Sequence, residues 1–197
     1  MPTTISNRRK LFDIAESQAG YFTTSQAQVA GYSRQLLNHH VGSGEFIREQ
    51  HGIYRLNRFP RSSREDLYVA WLRCGSRAVV SHESALELHG LSDAMPTEIH
   101  ITVPRGASLR RAGIRLHTNV LRANEITSWQ GLPVTIIERT IADVAANGAQ
   151  EWIIEQAIRE ALNRGRTLPE VLIAQAQMHR QPARDMVINL VRKVAQR

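Results

Sequence analysis

Residues 23–56 read TTSQAQVAGYSRQLLNHHVGSGEFIREQHGIYRL, and the spacing within them sets the fold of the first third of the chain. A hydroxyl from Thr23-Thr24-Ser25 can cap a helix over 25–30, whose Ala27 and Ala30 let a second helix cross closely. Gly31-Tyr32-Ser33 makes a tight turn, with Gly31 free to take positive φ and Ser33 able to cap the second helix. That helix is expected over 33–41, stopped by Gly42-Ser43-Gly44. Two helices joined by a short glycine-containing turn are the mark of a helix-turn-helix. Upstream, Leu11, Ile14 and Ala15 recur at helical spacing until Gly20. Downstream, strands over 45–49 and 52–56 meet across Gln50-His51-Gly52, and a hairpin directly after the second of these helices is a wing.

The period of the helix over 33–41 sorts its side chains. Leu37 and Val41 are four apart and face inward, with Leu36 and His40 beside them. Arg34, Gln35, Asn38 and His39 are left outside. Arginine pairs bidentately with guanine, while glutamine and asparagine pair with adenine, so these four are the expected base readers. No acid stands among them, where a purely solvated face would show Glu and Lys. In the hairpin, Phe46, Tyr54 and Leu56 are expected to point inward, leaving Arg48, His51 and Arg55 to reach outward. With Thr24, Ser25 and Ser33 they form the expected set of contacts to the DNA backbone. A solvated helix above a hairpin that only closes a small core remains the alternative.

Charge points the same way. The 197 residues carry 25 Lys+Arg against 18 Asp+Glu, a formal net charge of +7. Residues 1–64 hold nine basic and four acidic side chains, so most of the excess lies there. Only Lys10 and Lys193 are lysines; the rest are arginines, suited to planar recognition of phosphates and guanine edges. A GC-rich genome that spells its surface charge as arginine would give the same composition. The single cysteine, Cys74, excludes an internal disulfide and a Cys/His zinc site. No apolar run is long enough to span a membrane. The basic N-terminus has no apolar stretch behind it, so a cytoplasmic protein is expected.

The length suits two domains, placed at 1–62 and 63–197, with Pro60 and Arg58, Arg61, Ser62, Ser63 and Arg64 around it as a polar linker. The second domain is expected to begin with helices over 65–74 and 81–89, the latter capped by Ser81. Strands come next over 99–103 and 114–117, and a third over 132–136 is expected at the sheet edge because Pro133 cannot donate. Helices over 138–146, 150–162, 168–177 and 183–194 complete it. The fold class is therefore α+β: an N-terminal winged helix-turn-helix and a C-terminal mixed domain with a small sheet and several helices.

Several constellations invite chemistry and do not support it. Ser81-His82-Glu83 holds the residue types of a triad, but adjacent side chains are expected to diverge. His82, His89, His100 and His117 lack metalloprotease spacing, and no glycine-rich phosphate loop occurs. Gly42-Ser43-Gly44 is not followed by the acidic pair of a nucleotidyltransferase. A nuclease carboxylate cluster with its lysine is also missing, since no lysine lies between Lys10 and Lys193. The expectation is no enzyme, no metal and no cofactor. Arg105, Arg110, Arg111 and Arg115 form a second basic patch that either extends a nucleic-acid footprint or is a solvated loop.

Gly20-Tyr21-Phe22-Thr23-Thr24-Ser25-Gln26-Ala27, Gly31-Tyr32-Ser33, Gly44-Glu45-Phe46-Ile47-Arg48 and His51-Gly52-Ile53-Tyr54-Arg55-Leu56 together resemble the N-terminal domain of AbiEi-type antitoxins. The resemblance continues through the stretch from Val80-Ser81-His82-Glu83-Ser84-Ala85 to His89-Gly90-Leu91, and through Ile99-His100-Ile101-Thr102-Val103-Pro104. It extends to Leu132-Pro133-Val134-Thr135 and Glu138-Arg139-Thr140-Ile141-Ala142-Asp143, and fades after about residue 165. It implies the antitoxin of a type IV toxin–antitoxin system. Such a protein represses its own operon by binding double-stranded DNA, often at inverted repeats. It counters a nucleotidyltransferase-like toxin without a stable complex. A stand-alone regulator and a protein-interaction module are the competing readings.

Overall fold

Small side chains and well-placed caps set the geometry of the N-terminal third. In the computed structural model, which describes residues 5–93, 96–104 and 111–196, this region contains α1 (Ile5–Glu16), β1 (Tyr21–Thr23), α2 (Thr24–Val29) and α3 (Arg34–Gly42). The β2 (Phe46–Gln50) and β3 (Ile53–Leu56) hairpin comes after them. Thr23 caps α2 in a reciprocal box: its Oγ1 accepts from the Gln26 amide at 3.2 Å, and Gln26 Oε1 accepts from the Thr23 amide at 2.8 Å. Gly31, at φ +92°, makes the turn into α3; a Cβ there would stand 2.5 Å from Asn7 Nδ2. Ser33 caps α3 by accepting from the Leu36 amide at 3.2 Å.

The three strands form an antiparallel sheet in the order β1-β3-β2. One face carries Phe22, Phe46, Tyr54 and Leu56 into a core with Leu11, Ala15, Ala27, Ala30, Tyr32 and Leu37. The other face carries Tyr21 and Arg55, which are register partners. It is covered as well, because α4 (Glu65–Cys74) packs there with Tyr68 stacked on Tyr21 at 5.2 Å between ring centroids. The first compact unit therefore runs past residue 62 and comprises Met1–Ser76 with Gln130–Leu132, while the second comprises Arg77–Trp129 with Pro133–Arg197.

The second unit contains β4 (Val79–Val80), α5 (His82–Leu88), β5 (Ile99–Val103) and β6 (Ile114–Thr118). After a 3₁₀ turn, Ala123–Glu125, come β7 (Ile126–Trp129), β8 (Leu132–Thr135), α6 (Ile137–Ala146), α7 (Glu151–Asn163), α8 (Pro169–Ala176) and α9 (Ala183–Ala195). The sheet order is β6-β5-β4-β8-β7. The expected edge position of residues 132–136 is thus wrong: β8 lies between β4 and β7, pairing with β4 at Val80↔Val134. Proline costs a strand one donor, not a neighbour. Leu86, Ile141, Val144, Ile158, Leu172, Val187 and Leu190 belong to the helical core of this unit.

Beside that apolar core runs a buried ionic network. Arg139 on α6 donates from Nη1 to Glu125 and from Nε to Asp143, both at 2.8 Å, and all three residues expose 5% or less. Gln175 donates to Glu125 at 3.0 Å, and His179 Nε2 lies 3.1 Å from Asp143. Removing one member of such a network leaves buried charge without a partner. Arg139→Met should lower the unfolding free energy by about 3–5 kcal/mol in urea denaturation followed by circular dichroism. Arg192→Met, at an exposed position on α9, should stay within about 0.5 kcal/mol of the parent.

Candidate nucleic-acid interface

The structure divides α3 as the spacing predicts. Leu37 is 1% exposed. Leu36, His40 and Val41 are half-buried beside it, and Arg34, Gln35, Asn38 and His39 are all exposed on the other side. His40 is held among aromatic rings, 4.8 Å from Phe46 and 5.5 Å from Tyr32, so α3 is fixed in rotation as well as in position. Among the described residues, Arg34 takes part in no ion pair.

The expected backbone contacts fare differently from one another. Ser33 is exposed; its Oγ accepts the α3 capping bond, which leaves its own O–H to donate outward. Thr24 ties the start of α2 to the wing, its amide donating to the Gly52 carbonyl at 2.9 Å and its Oγ1 lying 3.4 Å from the same oxygen. Ser25 is exposed, with Oγ 2.9 Å from Thr23 Oγ1. Arg48 and His51 stand exposed at the hairpin tip, Arg48 Nη2 lying 3.1 Å from His51 Nδ1, and Gly52 turns the chain there at φ +76°.

Arg55 does not reach outward. It is 6% exposed, its Nε donates to Glu49 at 2.8 Å, and its Nη1 donates to the Phe59 carbonyl at 2.6 Å. The expectation rests on a sheet with one wet face, whereas α4 covers that face and turns Arg55 into a buried ion pair. Of the second basic patch, Arg115 is exposed on β6 and Arg111 is half-buried, bridged to Ile114; Arg105 and Arg110 lie outside the described residues.

The acids of this unit are placed so that the exposed face keeps its charge. Glu49 is spent on Arg55 and also lies 3.8 Å from Arg61. Glu45 lies 2.9 Å from His40 Nδ1 and 3.6 Å from Arg8. Neither carboxylate opposes Arg34 or Arg48 in an ion pair. That leaves the outer side of α3 and the wing tip carrying cations and neutral donors, a surface suited to a polyanion.

In the second unit, three of the four histidines do meet. His82 and His117 stack with centroids 3.5 Å apart, and His117 Nε2 lies 3.2 Å from His100 Nδ1. His89 is elsewhere, 2.8 Å from the Thr135 carbonyl. Contrary to the divergence expected of neighbours, Ser81 Oγ lies 2.9 Å from His82 Nδ1, because His82 sits in the left-handed region at φ +51°. No relay results: Glu83 lies against His100 at 2.5 Å instead. Ser81 makes no capping bond either, since its Oγ accepts from Thr102 at 2.8 Å. Among the described residues, no group of three or more His, Cys, Asp or Glu is arranged to hold a metal ion.

Burial, and then the neighbouring His117, lower the His82 pKa to about 3; burial and then His100 lower that of His117 to about 4. An unfolded histidine titrates near 6.5. Below that pH the unfolded chain binds protons that the folded rings refuse, so stability is full above about 6.5 and falls as the pH drops toward 4. From pH 7.5 to 5, His82 alone should cost about 2 kcal/mol, with His117 adding in the same direction. Urea midpoints at the two pH values should show this loss, and a His82→Asn, His117→Gln double variant should flatten it.

Comparison with known proteins divides along the same two units. A family model described as "Transcriptional regulator, AbiEi antitoxin" matches residues 9–57. A second, "AbiEi antitoxin C-terminal domain", matches residues 78–184. No curated protein matches the chain. Among solved structures, that of the RV2827C protein from Mycobacterium tuberculosis is similar in fold, with a TM-score of 0.58 and 14% identity, over 99% of this chain and 80% of that one. Over half of the sequence lies within the second family model alone, and the chain belongs to the AbiEi antitoxin family.

Proposed function

We propose that the chain is a sequence-specific DNA-binding repressor, acting as the antitoxin of a type IV toxin–antitoxin system. The observation that carries this reading is the exposed, acid-free face of α3, with Arg34, Gln35, Asn38 and His39 on a helix whose opposite side is locked by Leu37. Arg34 reads guanine, Gln35 and Asn38 read adenine, and His39 is the fourth base reader. Ser25, Ser33, Arg48 and His51 hold the register through phosphates, while Thr24 spends its amide and hydroxyl on the Gly52 carbonyl and positions the wing. Arg55 drops out of that set and serves the fold. The target is double-stranded DNA at the protein's own promoter, where inverted repeats would be met by a pair of chains.

The family membership supports the regulator and antitoxin roles, and the toxin opposed is a nucleotidyltransferase-like protein countered without a stable complex. No catalytic step is assigned to the chain. Arg111 and Arg115 are candidates for an extension of the DNA footprint.

Anisotropy titrations against the DNA upstream of the reading frame test the assignment. Arg34→Ala and Asn38→Ala should each cost about 1–3 kcal/mol on the preferred sequence and relax its discrimination. Arg48→Ala should weaken all duplexes alike and reduce the salt slope by about one. Arg55→Ala should act through a lowered thermal midpoint rather than through the salt slope. Unchanged affinity in both α3 variants, or binding indifferent to ionic strength, would sink the DNA-reading role and favour a protein-interaction module. Co-expression with a neighbouring nucleotidyltransferase gene should restore growth that the toxin alone arrests.

A further inference from the structure

A cavity of about 350 Å³ opens between α1, the Ser43-Gly44 turn that follows α3 and the base of the wing. Small-molecule sites span about 300–1,000 Å³, so the space suits a compact ligand. Its floor is apolar: Leu11, Tyr32, Phe46 and Leu56 line it and each exposes 6% or less. Its rim carries Arg8 and Arg58. The Phe46↔Leu56 pair sits at the end of the hairpin away from Gly52. The cavity and the wing tip are therefore at opposite ends of the same two strands, and the cavity is separate from the tip's phosphate contacts.

Two polar groups at this cavity make no hydrogen bond or ion pair among the described residues. Tyr32 exposes only 2% of its surface, yet its hydroxyl has no hydrogen-bond partner among the described residues. Burial holds its pKa above the usual phenol value, so the group is an O–H donor at neutral pH. The Arg58 guanidinium lies 4.0 Å from the Phe12 ring centroid and pairs with no carboxylate among the described residues. The one carboxylate lining the cavity, Glu45, is already engaged by His40 and Arg8. An apolar floor, a fixed phenol donor and a free guanidinium beside a second one select a ligand with a flat apolar body and an anionic head.

We propose that this cavity binds a small organic anion, a carboxylate or phosphate on a ring-sized apolar body, with its head held by Arg58 and the Tyr32 hydroxyl while Arg8 offsets the Glu45 carboxylate. Arg58 gives the head a fork of N–H donors, and Tyr32 fixes its direction from below. Part of the wall is the turn that ends α3, so occupancy bears on the helix that carries the proposed base readers. That consequence rests on the DNA-binding reading, whereas the binding itself does not.

Isothermal calorimetry on the full chain tests the site with phenyl phosphate and benzoate as probes, and with inorganic phosphate and benzyl alcohol as the head and body alone. At least one of the two whole probes should bind saturably at one per chain, at least tenfold more tightly than either part. Arg58→Gln should weaken that binding at least tenfold, and Tyr32→Phe, which keeps the buried ring, should weaken it severalfold with an unchanged circular dichroism spectrum. Arg192→Gln on α9 should leave it unchanged. No saturable heat with either whole probe, or equal binding of inorganic phosphate, would overturn the proposal. So would full affinity in the Arg58→Gln and Tyr32→Phe variants. A failure to bind DNA would leave each of these results standing.

Discussion

Leu37 is the seat of the first unit. One fully buried side chain in the middle of a nine-residue helix, with Leu36, His40 and Val41 half-buried around it, fixes which side of α3 meets the core. Everything proposed for the opposite side depends on that seat. The fixing is mutual: Phe46 from the wing and Tyr32 from the preceding turn both lie against His40, so helix, turn and hairpin hold one another in register. A recognition surface has to be rigid, because ordering side chains on contact would cost binding free energy.

Charge is handled by the same economy in both units. In the first, the two wing carboxylates are paired inward or sideways, Glu49 with Arg55 and Glu45 with His40 and Arg8, and the outward face of α3 is left free of acids. In the second, Glu125, Arg139, Asp143 and His179 are joined in a network in which each buried charge meets an opposite charge or a hydrogen-bonding partner. The stacked His82 and His117 rings are neutral for a related reason, since burial penalises their charged forms. Such polar layers contribute less net stability than an apolar core would, but they penalise any arrangement that breaks them.

The helices are largely legible in the sequence. Apolar spacing places helices at 138–146, 150–162, 168–177 and 183–194, and α6 to α9 agree within about one or two residues at each end. Periodicity of apolar residues carries that information locally. Short strands do not advertise themselves in this way. β1 has three residues and β4 has two, too few to show alternation, and both exist because a neighbouring strand supplies their hydrogen bonds. β7 carries one usable signal, the Gln130-Gly131 turn before Leu132, with both residues at positive φ.

Residue order alone specifies the winged helix-turn-helix, the α+β class and the division of α3 into a buried and an exposed side. These arise from spacing within a few residues and need no distant partner. Long-range packing sets the rest. Arg55 is buried because α4, ten residues further on, covers the second face of the sheet. Ser81, His82, His100 and His117 meet because strands far apart in the chain lie side by side and His82 adopts a left-handed backbone. The cavity floored by Tyr32 exists only where α1, the turn after α3 and the wing converge. Contacts between segments distant along the chain leave no periodic trace in it, and they set both the burial of charges and the shape of empty space.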